Sequence, residues 1–231
     1  MDPLPRKTAL QRIRAQKVFD ALTRRYPDAH CALDWSKPHE LLIATILSAQ
    51  ATDVGVNKAT PALFRAFPTP AAFAQCEPSD IEPFVRTINF YRNKAKAVVE
   101  SMKTIQRQFG GRVPSTMDEL IQLRGVARKT ANVVLGNAFG INDGVVVDTH
   151  VSRLSMRFSF SKATDPVAIE GDLMALFRQR DWCVLSHLLI SHGRAVCKAR
   201  GNSCQEDRIC REYCSEGKAA VKRKRSISLR R

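Results

Sequence analysis

The 231-residue chain carries 37 Lys and Arg against 22 Asp and Glu, a formal net charge of +15 with a pI near 9.9. That balance points to a polyanionic partner, either nucleic acid or an anionic membrane surface. The membrane alternative is disfavoured, because the longest apolar run, Leu41 to Leu47, is far short of a spanning helix and the stretch from Met1 to Lys7 lacks a signal peptide's apolar segment. A soluble, intracellular protein is expected, and at 44% hydrophobic residues it has material for one large domain or two small ones.

Taken in chain order, Arg12 to Arg25 carries Ile13, Val18, Phe19 and Leu22 on roughly one face and stops before Tyr26-Pro27. Glu40 to Ala51 is a dense Leu/Ala-rich run that reads as a buried helix. Ser115-Thr116-Met117-Asp118 resembles a capping box opening a short helix that ends at Leu123. Gly125 supplies a turn, Arg128 to Phe139 is the next helix, and Gly140 terminates it. Val145 to Val147 is strand-like but short, so an extended connector is expected. Asp165-Pro166 opens a helix with Ile169, Leu173, Leu176 and Phe177 on one face, and Trp182 to Ser191 is a further buried helix. There is no internal repeat, and the fold class is all-α. From Lys218 to Arg231 the chain has seven basic residues and no acidic one, leaving +8 for the rest. This tail is expected to be disordered and to bind phosphates without sequence preference.

Seven cysteines in an intracellular chain do not suggest a disulfide framework. Cys31, Cys76 and Cys183 lie in apolar or mixed stretches and read as packing residues. Cys197, Cys204, Cys210 and Cys214 crowd into eighteen residues, and such clustering points to metal.

The most informative stretch is Leu123-Arg124-Gly125-Val126-Ala127-Arg128-Lys129-Thr130-Ala131-Asn132, followed nineteen residues after its lysine by Asp148 in Val147-Asp148-Thr149-His150. An amine and a carboxylate at two helix starts can supply a nucleophile and its proton-transfer partner. A Gly turn leading at once into a helix also aims N–H groups at a phosphate. The alternatives are an ordinary helical corner, a phosphate-binding Lys129, and an Asp148 that serves as a helix N-cap. The last of these is compatible with a chemical role.

The hairpin stretch resembles the helix-hairpin-helix of the endonuclease III family of DNA glycosylases. Leu47-Ser48-Ala49-Gln50-Ala51-Thr52-Asp53 resembles that family's loop facing the lesion, and Phe90-Tyr91-Arg92-Asn93-Lys94-Ala95 its second probing segment. The resemblance runs from about Ile13 to Cys214 in the right order. It implies two helical lobes with a DNA groove between them: residues 29–142 as a six-helix barrel-like lobe with the hairpin, and residues 1–28 with 143–217 as a cysteine-cluster lobe. Residues 218–231 form the tail. The implied function is a bifunctional base-excision-repair glycosylase/AP lyase. It removes oxidised or damaged pyrimidines from duplex DNA through an imine on Lys129, and Asp148 stabilises the cationic sugar. Desolvation and a nearby cation such as Arg128 would make the lysine nucleophilic. Rival readings are a monofunctional glycosylase with another lesion preference and a helix-hairpin-helix DNA binder without catalysis.

Gln50 and Phe90 are the implied DNA-probing pair, one filling the vacated space and the other wedging between bases. Alternatively Gln50 only serves loop backbone and Phe90 is core. Arg124, Gly125, Val126, Ala127, Arg128, Thr130, His150, Lys198 and Arg200 are further expected DNA contacts. Arg124 stands where the family has Pro and Ala127 where it has a second Gly, so a positive φ at Ala127 would be strained. The four cysteines are separated by six, five and three residues, against the family's six, two and five, so a [4Fe–4S] cluster is expected with zinc, or no metal, as alternatives. The partner is double-stranded DNA with damaged bases or abasic sites, and the protein is expected to be a monomer in the nucleoid-containing cytoplasm.

Overall fold

The structure, a computed structural model, describes residues 3–219. Among these residues there are helices and turns and no strand, so the all-α expectation holds. Val145 to Val147 is a connector without regular secondary structure. All but the first two residues of the basic tail lie outside the described part. The chain divides into two compact units, one spanning Cys31–Asp143 and the other joining the segment that ends at His30 to the one that starts at Gly144.

The Cys31–Asp143 unit holds α2 (Pro38–Ser48), α3 (Asp53–Ala66), α4 (Pro70–Gln75), α5 (Pro78–Val85), α6 (Tyr91–Phe109), α7 (Met117–Leu120) and α8 (Arg128–Ala138). Its α7 is a single turn. Every residue of α2 from His39 to Leu47 is buried, and Leu41, Leu42, Ile43 and Leu47 are fully so. A helix apolar on all sides must be covered on all sides, and α3, α6 and α8 do this. Each fully buried Leu or Ile contributes about 1.5–3 kcal/mol over an exposed one. The Glu40 carboxylate closes the start of α2 by accepting from Ser36 N–H, Ser36 Oγ and Lys37 N–H.

α2 ends at Ser48 rather than Ala51, because Gln50 turns left-handed (φ 54°) and Thr52 already caps α3 by accepting from Gly55 N–H. The capping residue of α7 is Thr116, not Ser115: its hydroxyl pairs with the N–H and carboxylate of Glu119, and the helix stops at Leu120. Helix α6 carries an apolar stripe of Ala95, Val98, Val99, Met102 and Ile105. Pro61 sits inside α3, Pro83 sits inside α5, and the buried face of α6 includes Lys94 and Ser101.

The other unit holds α1 (Ala9–Arg25), α9 (Thr149–Arg157), α10 (Pro166–Leu176), a 3-10 turn (Gln179–Asp181), α11 (Trp182–Ala195) and α12 (Arg208–Tyr213). α1 begins at Ala9 because Thr8 and Gln11 form a reciprocal capping box. Its Val18 and Leu22 join Leu154, Phe158, Leu173, Leu185, Leu188 and Leu189 in one core. Arg14 ties α1 to distant backbone through the carbonyls of Phe158 and Tyr213. Asp165 caps α10 through Ala168 N–H at 2.9 Å.

α11 carries the largely buried His187, whose imidazole burial pushes down to about 4, with His30 acting in the same direction. A depressed folded-state value means the unfolded chain binds the proton more tightly. The contribution is therefore complete above pH ~6.5 and is lost as pH falls towards 4. His187→Gln, which does not titrate there, is expected to lose up to about 3 kcal/mol less stability than the parent between those limits, read from urea midpoints across pH.

Candidate functional site

The hairpin is built from α7, a tight turn and α8. Leu123 N–H donates to Leu120 O and Val126 N–H to Leu123 O, both at 3.1 Å. Gly125 alone takes the left-handed conformation there, at φ 78°, and a Cβ on it would stand 3.1 Å from Ala97 Cβ. Ala127, by contrast, is the extended N-cap of α8 (φ −99°, ψ 171°), so the expected strain at its Cβ does not arise. The side chain of Val126 is buried in the core and is not a surface contact. Arg124 is half-exposed and ion-paired with Glu100, while its carbonyl accepts from Ser101 Oγ at 2.7 Å. Arg128 is drawn to Asp143, Nη1 to the carboxylate at 3.4 Å and Nη2 to the carbonyl at 3.3 Å, which offsets its charge beside Lys129. Lys129 itself is exposed in the first turn of α8, and Thr130 is half-buried behind it. The first-turn N–H groups of a helix lack intrahelical acceptors and favour an anion.

Asp148 is the N-cap of α9: its Oδ1 accepts from Val151 N–H at 2.8 Å. The cap holds a partly exposed carboxylate in one orientation at a helix N-terminus, where its anion is favoured. His150, the second residue of α9, has Nδ1 3.1 Å from Arg153 Nη2. Burial lowers its proton affinity, with Asp148 opposing and Arg153 and Arg194 reinforcing, so it is neutral near pH 7.

Gln50 and Phe90 are both exposed, and Phe90, at 64% exposure, is not core. Both adopt left-handed backbone, at φ 54° and 58°. Gln50 presents its carbonyl to Asn89 Nδ2 at 3.3 Å, so loop bonding uses its backbone and leaves its side chain outside that bond.

Cys197, Cys204, Cys210 and Cys214 are all buried, and their sulfurs lie within 4.8 Å of one another. The altered spacing therefore does not prevent the four from converging. Arg157 donates to Cys197 Sγ at 3.1 Å and to Lys198 O at 3.0 Å, while Arg153 Nε donates to Cys197 O. His192, fully buried, has Nε2 3.3 Å from Cys210 Sγ and Nδ1 2.9 Å from Tyr26 OH. Hydrogen bonds from Cys210 and Cys214 draw the Cys197 thiol down to about 2, whereas burial pushes Cys204 up to about 12. Four cysteine sulfurs this close and this buried could all ionise only around a cation, and the set fits a metal–thiolate centre. Gly217 closes the loop so tightly that a Cβ there would collide with Cys210 O. Lys198 and Arg200 are exposed on this loop.

Residues 43–179 match the profile of the HhH-GPD superfamily base excision DNA repair proteins. Endonuclease III of Synechocystis is 49% identical over 95% of this chain and 100% of its own length. Endonuclease III of Bacillus subtilis is 40% identical over 89% of this chain and 93% of its own. The chain belongs to the endonuclease III family. A structure of a trapped covalent endonuclease III–DNA intermediate is 38% identical, covers 91% of this chain and 98% of that one, and superposes with a TM-score of 0.84. A non-covalent endonuclease III–DNA complex gives 0.85 at the same identity and coverage. A thermostable thymine-DNA glycosylase at 21% identity shares the fold, with a TM-score of 0.75.

Within this family member, sequence reasoning did not single out Asn89, Arg153, Arg157 or His192. An arginine or histidine on a helix has many uses, and only the fold brings these onto the Gln50 loop or the cysteine segment. The hairpin geometry makes opposite demands on its two glycine positions, 125 and 127. Gly125→Ala forces a side chain into φ 78° against Ala97 and is expected to cost about 1–3 kcal/mol with weaker duplex binding. Ala127→Gly is expected to leave duplex affinity unchanged and to lose at most about 1 kcal/mol through chain entropy. Thermal unfolding and a fluorescence-anisotropy titration read both.

Proposed function

We propose that this glycosylase/AP lyase removes oxidised or ring-damaged pyrimidines from duplex DNA, with Lys129 as nucleophile and Asp148 as its carboxylate partner. The observation that carries the reading is the exposed lysine in the first turn of α8, directly after the Gly125 turn. In the uncharged amine form, Lys129 Nζ attacks C1′ of the damaged nucleotide. The N–C1′ bond forms as the glycosidic bond breaks, and the base leaves with that bond's electron pair and gains a proton. Asp148, held by its cap, stabilises positive charge on the sugar and receives the proton shed by the amine. Ring opening gives an imine. Loss of a C2′ proton then expels the 3′ phosphate, so the strand breaks by β-elimination.

Gln50 and Phe90 enter the stack at the flipped nucleotide, Gln50 filling the gap and Phe90 wedging between bases. Backbone N–H groups at the start of α8, together with Arg124, Thr130, Lys198 and Arg200, hold phosphates. The four cysteines hold a [4Fe–4S] cluster that serves the fold of its loop and supplies no step of the reaction. The protein acts as a monomer on intracellular DNA.

Borohydride added during turnover is expected to join the enzyme covalently to DNA, with mass spectrometry locating the link at Lys129. Lys129→Gln is expected to abolish trapping and cleavage while keeping DNA affinity, because the loss is chemical. Strand cleavage by that variant at the parental rate would overturn the assignment. Asp148→Asn keeps the cap, so turnover should drop with little change in Tm; normal turnover would reduce Asp148 to a cap alone. Protein purified without oxygen is expected to be brown, with about four iron and four sulfide per chain. Stoichiometric zinc, or no metal, would overturn the cluster.

A further inference from the structure

Two of the three non-glycine residues with positive φ among the described residues are Gln50 and Phe90, and they are neighbours through one hydrogen bond. Left-handed backbone is unfavourable for side chains of this kind and persists only where surroundings enforce it. The surroundings here are few and specific. Asn89 Nδ2, immediately before Phe90, donates to the carbonyl of Gln50 at 3.3 Å. Lys94, buried on the first turns of α6, sends its ammonium to Leu47 O at 2.9 Å, at the C-terminus of α2 three residues before Gln50. Its own backbone N–H donates to Phe90 O at 3.1 Å, the first i to i−4 bond of α6. The lysine side chain thus holds the approach to Gln50, while its backbone lies one helical turn from Phe90. A cation at a helix C-terminus is stabilised by the exposed carbonyls there. Burial alone opposes its charge, so the Leu47 bond and the helix end are what retain it in the core.

We propose that Lys94 and Asn89 are positioning residues that lock the Gln50 and Phe90 loops into a single preformed wedge for opening duplex DNA. This rests on the reading that Gln50 and Phe90 probe the duplex. Neither positioning residue touches the reacting atoms. They set the relative placement of two side chains that must enter the same stack, and the left-handed conformations are the stored cost of presenting both outwards. A preformed wedge avoids ordering two loops during binding, which would otherwise weaken recognition.

The test compares duplex DNA, which must be opened, with single-stranded abasic DNA, which need not be. Asn89 is exposed, so Asn89→Ala is expected to fold with a Tm close to the parent's. It should lower kcat/KM on a lesion-bearing duplex by about 10-fold while borohydride trapping on the single strand proceeds at the parental rate. Lys94→Met should do the same more strongly. Fluorescence of 2-aminopurine beside the lesion, which reports unstacking, should rise more slowly in both. Gln50→Gly should raise Tm by about 2–4 °C, because glycine relieves the left-handed strain, and should lower duplex activity. Equal losses on duplex and single strand in Asn89→Ala would overturn the proposal, as would parental duplex activity. Should Lys94→Met unfold, the Asn89→Ala arm decides alone. Gln50→Ala and Phe90→Ala separate the two layers. If both keep full duplex activity, the DNA-probing reading itself fails; if they lose it while Asn89→Ala does not, only the positioning role fails.

Discussion

The burial of α2 is the constraint on which the Cys31–Asp143 unit depends. A helix with nine consecutive buried residues cannot sit at a surface, so its neighbours are arranged around it. The functional pieces follow from that wrapping. Where α2 stops, the chain must emerge abruptly, and it does so through the left-handed Gln50. A Cβ at the hairpin turn would crowd Ala97 on α6 at 3.1 Å and would have to adopt φ 78°, which is why Gly125 occupies it. Lys94 reaches the same helix end from α6. The exposed elements assigned to DNA in this unit are therefore the places where the covering of one apolar helix is interrupted.

The second unit is organised around the cysteine pocket in a comparable way. Arg153 and Arg157 lie on α9, the helix that Asp148 opens, and both hold the Cys197 segment. α9 thus presents a capped carboxylate at one end and grips the cysteine loop from its second half. α11 approaches α9 so closely that any side chain at Gly193 would press on His150 and Arg153. Helix α1 contributes through Tyr26 to His192 and from there to Cys210. Residues near the N-terminus and near the end of the described chain are bound into one core by this pocket.

Much of this was legible in the sequence, for identifiable reasons. Lys129, Asp148 and the cysteines are residue types whose spacing carries chemical meaning, and helices α1, α2, α8, α10 and α11 have strong patterns or caps. Prolines inside α3 and α5 obscure the period that packing enforces there, whereas the stripe Ala95, Val98, Val99, Met102 and Ile105 of α6 was open to reading and was missed behind the loop motif at its start. Boundaries moved where a side-chain hydrogen bond chose between neighbours, as Thr116 did over Ser115. Phe90 was ambiguous because an aromatic residue is equally at home in a core; only backbone geometry turned it outwards. The spacing of the cysteines suggested disruption, yet the short α12 between Asp207 and Cys214 brings Cys210 and Cys214 back beside Cys197 and Cys204.

The hairpin bears on how such turns are recognised in other chains. Its two motif positions are not equivalent: position 125 is left-handed and wedged between two helices, while position 127 is extended backbone of the kind any L-residue adopts. A signature that requires glycine at both would pass over chains whose hairpin is structurally complete. One that weights the first glycine, and asks only for a residue compatible with a helix N-cap at the second, would retain them.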